Sequence, residues 1–185
     1  MSMKPKLQLN TSINYVLRNG NDIEEGHPIA VVSDGVIYEG NKVAYKNASI
    51  TTVSFFNAVR GFEDFKGVHY AITGTPTERA SKWLMDVATA YRGNEYGRLR
   101  WVIKDYLSYA DEVLTKGADI KSKKYPPAIL SKGNIYEGNT VYKYGVTLED
   151  IIEYNVSRGY EKYYGLENLK SIIKMLEQAN QPLIG

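Results

Sequence analysis

The sequence predicts an α+β fold of two equivalent β-hairpin-plus-helix units in a pseudo-symmetric arrangement, and three observations lead there. The stretch GVIYEGNKVAYKN at 35–47 returns as GNIYEGNTVYKYG at 133–145. Holding that offset of 98 residues extends the likeness without a gap from Pro28 over Pro126 to Gly67 over Gly165, with 15 identities in 40 positions, as a duplicated unit would give. Helical periodicity fills the stretch between the copies and the stretch after the second. The chain divides accordingly into an N-terminal arm or short helix (1–27), a first unit (28–67), a helical hairpin with a basic linker (68–124), and a second unit with a C-terminal helix (125–185), all in one compact body.

In the arm, TSINYVLRNGN at 11–21 puts Ile13, Val16 and Leu17 at helical spacing, which predicts a short helix. Each unit then opens with a strand and a hairpin. Gly40-Asn41 and Gly138-Asn139 suit a two-residue type II′ turn, where glycine supplies the positive φ, and this register sets Tyr38 opposite Val43 and Tyr136 opposite Val141. A helix follows, capped by Ser49 or Thr147 and closed by Gly61 or Gly159. Ile50, Val53 and Phe56 form its buried stripe in one copy, and Leu148, Ile151 and Tyr154 in the other.

Behind that stripe both copies carry N-x-x-R-G-[FY]-E: Asn57, Arg60 and Glu63, then Asn155, Arg158 and Glu161. The structural reading holds each arginine against its glutamate across the turn, with the asparagine on free carbonyls at the helix end. The functional reading turns Arg60 and Arg158 towards a ligand phosphate or carboxylate.

Between the units, Thr75, Pro76 and Glu78 are the start signals of a helix that runs to Gly93, with Ala80, Trp83, Leu84, Val87, Ala88 and Tyr91 on one face. A second helix is expected from about Asn94 to Lys116, giving a hairpin over about 76–116. TKGADIKSKKYPP at 115–127 has the composition of a linker, and LENLKSIIKMLEQAN predicts the last helix over about 166–180.

Composition narrows the function. The absence of cysteine removes disulfides, thiolate metal sites and cysteine nucleophiles, and suits a reducing cytoplasm. Two histidines leave little for a metal site, so neither metal nor cofactor is expected. No apolar run reaches the length of a membrane span, and a net charge of +2 leaves nucleic-acid binding to local patches. Sixteen tyrosines against four phenylalanines favour half-wet rings of the kind binding surfaces use, a bias that an AT-rich genome also produces.

One such patch is AYRGNEYGRLRW at 90–101. It interleaves Arg92, Arg98 and Arg100 with Tyr91, Tyr96 and Trp101, a mixture that neutralises phosphates and stacks on bases. Lys121, Lys123 and Lys124 extend the basic surface. For enzymatic chemistry the candidates are His27 and His69, which with Arg60 and Glu63 would serve as acid and base in metal-independent RNA cleavage.

The layout carried by Gly35, Ile37, Tyr38, Gly40, Ser49, Ala58, Gly61, Gly67 and Tyr70 resembles the RAMA modules that accompany restriction and methylation enzymes, and the small repeat modules of homing nucleases. That resemblance covers about 35 residues and implies binding to DNA or to a DNA-acting protein. It departs from the pattern at Phe55-Phe56, where those modules have alanines, and at Tyr70, where they close on tryptophan.

The expected function is that of a non-enzymatic binding protein of a phage or other mobile element. It would dock on nucleic acid or on a nucleoprotein enzyme, as an anti-defence inhibitor of the anti-CRISPR kind does, with a protein partner or a homo-oligomer as further expectations. The alternatives are a metal-independent RNase and a virion or oligomer-forming component.

Overall fold

A computed structural model describes residues 14–68 and 78–179. The first half forms an antiparallel sheet in the order β1 (Tyr15–Arg18), β2 (Ala30–Ser33), β3 (Val36–Glu39) and β4 (Lys42–Tyr45). Helix α1 (Gly20–Glu24) follows β1, and α2 (Ile50–Val59) follows β4. Next come α3 (Glu78–Arg92) and α4 (Tyr96–Tyr109). The second half repeats the order with β5 (Asp111–Val113), α5 (Gly117–Lys121), β6 (Ala128–Ser131), β7 (Asn134–Glu137), β8 (Thr140–Lys143) and α6 (Leu148–Ser157), and ends on α7 (Lys170–Gln178). The fold is α+β, with two four-stranded antiparallel sheets and helices.

The local geometry follows from the residues. Gly40 and Gly138 take φ of 58° and 64°, and the turns they start pair Glu39 with Lys42 and Glu137 with Thr140, leaving Tyr38 opposite Val43 and Tyr136 opposite Val141. Ser49 accepts from the Thr52 N–H and Thr147 from the Asp150 N–H, each in a reciprocal capping box. Gly61 and Gly159, at φ of 81° and 77°, release the chain at the other end of each helix.

Three expectations are corrected. Tyr15–Arg18 is a strand rather than part of a helix: Tyr15 and Leu17 face one core while Val16 faces another, a period of two. The second helix of the hairpin stops at Tyr109, because Asp111, Glu112 and Val113 pair with Ser131, Leu130 and Ile129 as the edge strand of the second sheet. The stretch expected as a linker at 115–127 contains α5, whose Gly117 and Ile120 are buried. The last helix begins at Lys170, after a turn over Glu167–Leu169, and the Thr75-Pro76 start signal lies outside the described residues.

The likeness between the halves therefore starts upstream of Pro28. Val16, Leu17, Gly20, Asp22 and Ile23 recur 97 positions on as Val113, Leu114, Gly117, Asp119 and Ile120. The backbone bonds agree: the His27 N–H donates to the Asp22 carbonyl as the Lys124 N–H does to that of Asp119, while Gly40 donates to Ile29 as Gly138 does to Pro127. The offset changes from 97 to 98 between Lys124 and Pro127, so the second half carries one extra residue there.

Strand alternation distributes the side chains over three cores. Leu17, Ala30, Val32 and Ile37 pack with Val53 and Phe56 of α2. Ala128, Leu130 and Ile135 pack with Ile151 and Tyr154 of α6 and with α3, α4 and α7. Val16, Ile29, Val31 and Tyr38 from one sheet meet Val113, Ile129 and Tyr136 from the other, so the two sheets share a central core. The layers run helix, sheet, sheet, helices.

That central contact is reciprocal. A Cβ on Gly20 would lie 2.5 Å from the Tyr136 ring, and one on Gly117 would lie 2.8 Å from Ser33 Oγ and 3.1 Å from the Tyr38 ring. The Gly20 N–H donates to Ser131 Oγ at 2.8 Å. Each half thus offers a bare backbone to the tyrosine and serine of the other.

Candidate nucleic-acid interface

The residues of the shared N-x-x-R-G-[FY]-E string separate into different environments. Asn57 donates through Nδ2 to the carbonyls of Asp64 and Lys66, and Asn155 to those of Lys162 and Tyr164, tying each helix to the loop that follows it. Arg60 does not meet Glu63. It forms a bidentate pair with Glu39 on β3, Nε to Oε2 at 2.5 Å and Nη2 to Oε1 at 2.8 Å, and lies on the Phe56 ring at 3.7 Å. The hydrogen bond from Arg60 holds the Glu39 carboxyl below its ordinary range.

Arg158 points inward instead, at 7% exposure. It donates to Thr115 Oγ1 at 2.8 Å and to the Leu114 carbonyl at 2.6 Å, between the rings of Tyr154 and Tyr160. Glu137, the counterpart of Glu39, accepts from Tyr154 Oη at 2.6 Å, and Glu161 approaches Lys170 at 3.9 Å rather than an arginine. In the first half the inward guanidinium comes from Arg18, which donates to the Leu17 carbonyl at 2.8 Å and to Asn57 Oδ1 at 3.0 Å. Burial pushes Arg18 down to about 10, which leaves it charged at neutral pH. These arginines brace the two helix ends.

The helical hairpin presents a different chemistry. Trp83 of α3 is buried at 6% exposure and donates through Nε1 to the Val102 carbonyl of α4, locking the two helices together. Leu99, Val102, Ile103, Tyr106 and Leu107 fill the inner face of α4. On the outer face Trp101 is 58% exposed, with Arg98 one turn before it and Lys104 one turn after, both exposed. Tyr91 (46%) and Met85 (71%) stand out of α3, and Arg92 is exposed with Nε on the Ala88 carbonyl.

Arg98 and Arg100 lie in the first turns of α4, where the helix dipole disfavours cations by some tenths of a kcal/mol. Asp86 of α3 offsets this at 3.5 Å from Arg98. Arg100 is half-buried, and its Nη1 is enclosed without a hydrogen-bond partner among the described residues. The exposed side of α4 therefore carries one indole with a cation a turn away on either side, and α3 adds exposed Tyr91, Met85 and Arg92.

Sequence reasoning missed Lys104 and the exposure of Met85; the three-residue spacing from Arg98 through Trp101 to Lys104 is the signal for the lysine. Lys121, Lys123 and Lys124 stand elsewhere, on α5 and its following loop, and α5 packs against β3 and β4 of the first sheet.

His27 is stacked edge-on against Phe62 at 4.8 Å, and His69 lies outside the described residues. Among the described residues no three His, Cys, Asp or Glu side chains gather as metal ligands, and no helix is long and apolar enough to cross a membrane.

No protein-family model matches the chain, and comparison with curated proteins and with solved structures returned no match.

Proposed function

We propose that this is a binding protein that uses the outer face of the α3–α4 hairpin to hold a nucleic-acid strand. The observation that carries the reading is Trp101, an indole exposed to water between Arg98 and Lys104 on a helix whose opposite face is fully packed. Packing accounts for Trp83, whereas more than half of Trp101 is open to water among the described residues. A ring flanked by cations supplies the two things a single strand offers contacts for, a base to stack on and phosphates to neutralise.

A nucleoprotein enzyme exposes the same phosphates beside protein. An anti-defence inhibitor of a mobile element that docks on one would use this face in the same way.

The test is fluorescence anisotropy with labelled single-stranded RNA and DNA at several salt concentrations. Trp101→Ala is expected to weaken binding about tenfold or more, the stacking contribution of one base. Retention of both affinity and salt dependence in Trp101→Ala, Arg98→Ala and Lys104→Ala would remove the hairpin as the interface.

A further inference from the structure

The hairpin turns of the two halves meet the opposite half unequally. In the second half, Asn139 Oδ1 accepts from the Ile29 N–H at 3.3 Å, so the β7–β8 turn is closed onto the first half. The counterpart of Ile29 is Pro127, which has no N–H to give, and among the described residues the side chain of Asn41 has no hydrogen-bond partner. A cleft of about 400 Å³ lies at this unclosed contact, lined by Asn41, Lys42, Lys123, Tyr125 and Pro126.

The lining favours an anion. Lys42 replaces Thr140 of the second half, and Lys123 replaces Gly26. Lys123 keeps the left-handed backbone of that glycine, φ 61° against 103°, a conformation that costs a side-chain-bearing residue of order 1 kcal/mol. Neither lysine has an ion pair among the described residues. The nearest carboxylates in sequence are engaged: Glu39 holds Arg60, and Asp119 accepts from Tyr160. Tyr125, which also lines the cleft, donates through Oη to the Arg158 carbonyl at 2.8 Å.

We infer that this cleft is a binding site for a phosphate group, held by Lys42 and Lys123 with the Asn41 amide as a third donor. A small phosphate ester and the terminal phosphate of a nucleic acid share this chemistry. The site is separate from the hairpin face, and its residues come from both halves.

The experiment follows the amide signals of Asn41, Lys42 and Lys123 by nuclear magnetic resonance during titration with pyrophosphate, and with an oligonucleotide that carries or lacks a 5′-phosphate. Saturable shifts at these amides are expected, weakened about tenfold in Lys42→Ala combined with Lys123→Gly, the loss of charge-assisted bonds. Pro127→Ile restores the missing N–H and is expected to weaken binding while keeping both lysines. Preference for pyrophosphate assigns a small phosphate compound, and preference for the 5′-phosphorylated strand over its unphosphorylated twin assigns a nucleic-acid end. Shifts that survive in Trp101→Ala separate this cleft from the hairpin. Absence of saturable shifts with any probe, or equal affinity in the lysine variant, overturns the proposal.

Discussion

Arg18 and Arg158 deliver their guanidinium groups to the same place from opposite ends of the local structure. Both donate to the carbonyl of the equivalent leucine, Leu17 or Leu114, and both reach Oδ1 of the equivalent asparagine, Asn57 or Asn155. In one half the arginine stands at the end of β1, and in the other it stands at the end of α6, with Thr115 at the strand position. The change is coupled to Phe56 and Tyr154: the tyrosine hydroxyl occupies Glu137, and the carboxylate that would draw the helix-end arginine outward is taken.

Arg158→Ala takes the side-chain donor from the Leu114 carbonyl and the Asn155 amide oxygen in a buried setting, while Thr115 keeps its bond to the Pro126 carbonyl, and is expected to cost about 3 kcal/mol. Arg60→Ala breaks a pair that is about one quarter exposed and is expected to cost nearer ~1 kcal/mol. Urea denaturation measures both. Adding Thr115→Arg to Arg158→Ala is expected to recover part of the loss, because the strand position already serves this purpose in the first half.

Gly20→Ala and Gly117→Ala test the contact between the sheets. The added methyl meets the Tyr136 ring in the first case and Ser33 with Tyr38 in the second. A loss of about 1–3 kcal/mol is expected from overpacking, and Gly20→Ala combined with Tyr136→Leu is expected to lose less than the two changes summed. Additive losses in thermal melts would mean that the ring is not the obstacle.

Glu112 gives the protein a pH dependence. Burial first, and then the charge of Glu167, push its carboxyl up to about 8, while Tyr106 Oη and Asn168 Nδ2 approach its Oε1. Between its unfolded value of 4.5 and about 8 the folded state holds a proton that the unfolded state has released. Stability therefore falls as pH rises through that window. Burial also raises Asp111, which adds a slope of the same sign starting from 3.8. Melting temperatures at pH 6 and pH 9 measure the effect, and Glu112→Gln is expected to flatten it.

The salt dependence of oligonucleotide binding separates charge from stacking on the hairpin. Each phosphate contact on a single strand contributes about 0.7 to the slope of log affinity against log salt. Arg98→Ala and Lys104→Ala are each expected to reduce the slope by about that amount, and Trp101→Ala to lower affinity at unchanged slope. A slope that does not move in either cation variant would show that these side chains do not touch phosphate.

Much of this fold was legible. The two hairpins were readable because a glycine at the first turn position and a fixed cross-strand register leave little choice, and the caps at Ser49 and Thr147 because a hydroxyl before an apolar stripe does one thing well. β1 with α1, and β5 with α5, were not. One extra residue near Tyr125 breaks an ungapped comparison at the point where Gly20, Asp22 and Ile23 would have matched Gly117, Asp119 and Ile120.

Spacing also misled. Ala110, Val113 and Leu114 continue the helical stripe of α4, yet the neighbouring β6 claims that segment as a strand, which no local pattern reveals. The candidate surface was half visible. Clustering of arginine with tyrosine and tryptophan pointed to the hairpin, but the partition of its two tryptophans into a packed one and a wet one depends on which helix face meets the sheet.

Val31 and Ile129 belong to one core that the two sheets share, so neither half has an interior of its own on that side. A fragment of residues 14–68 would carry Val16, Val31 and Tyr38 bare to water, and its readiest cover would be a second identical fragment, joined through the contacts that now link the two halves of one chain. Severed from its counterpart, half of this protein is expected to be a sticky self-associating piece rather than a smaller version of the whole.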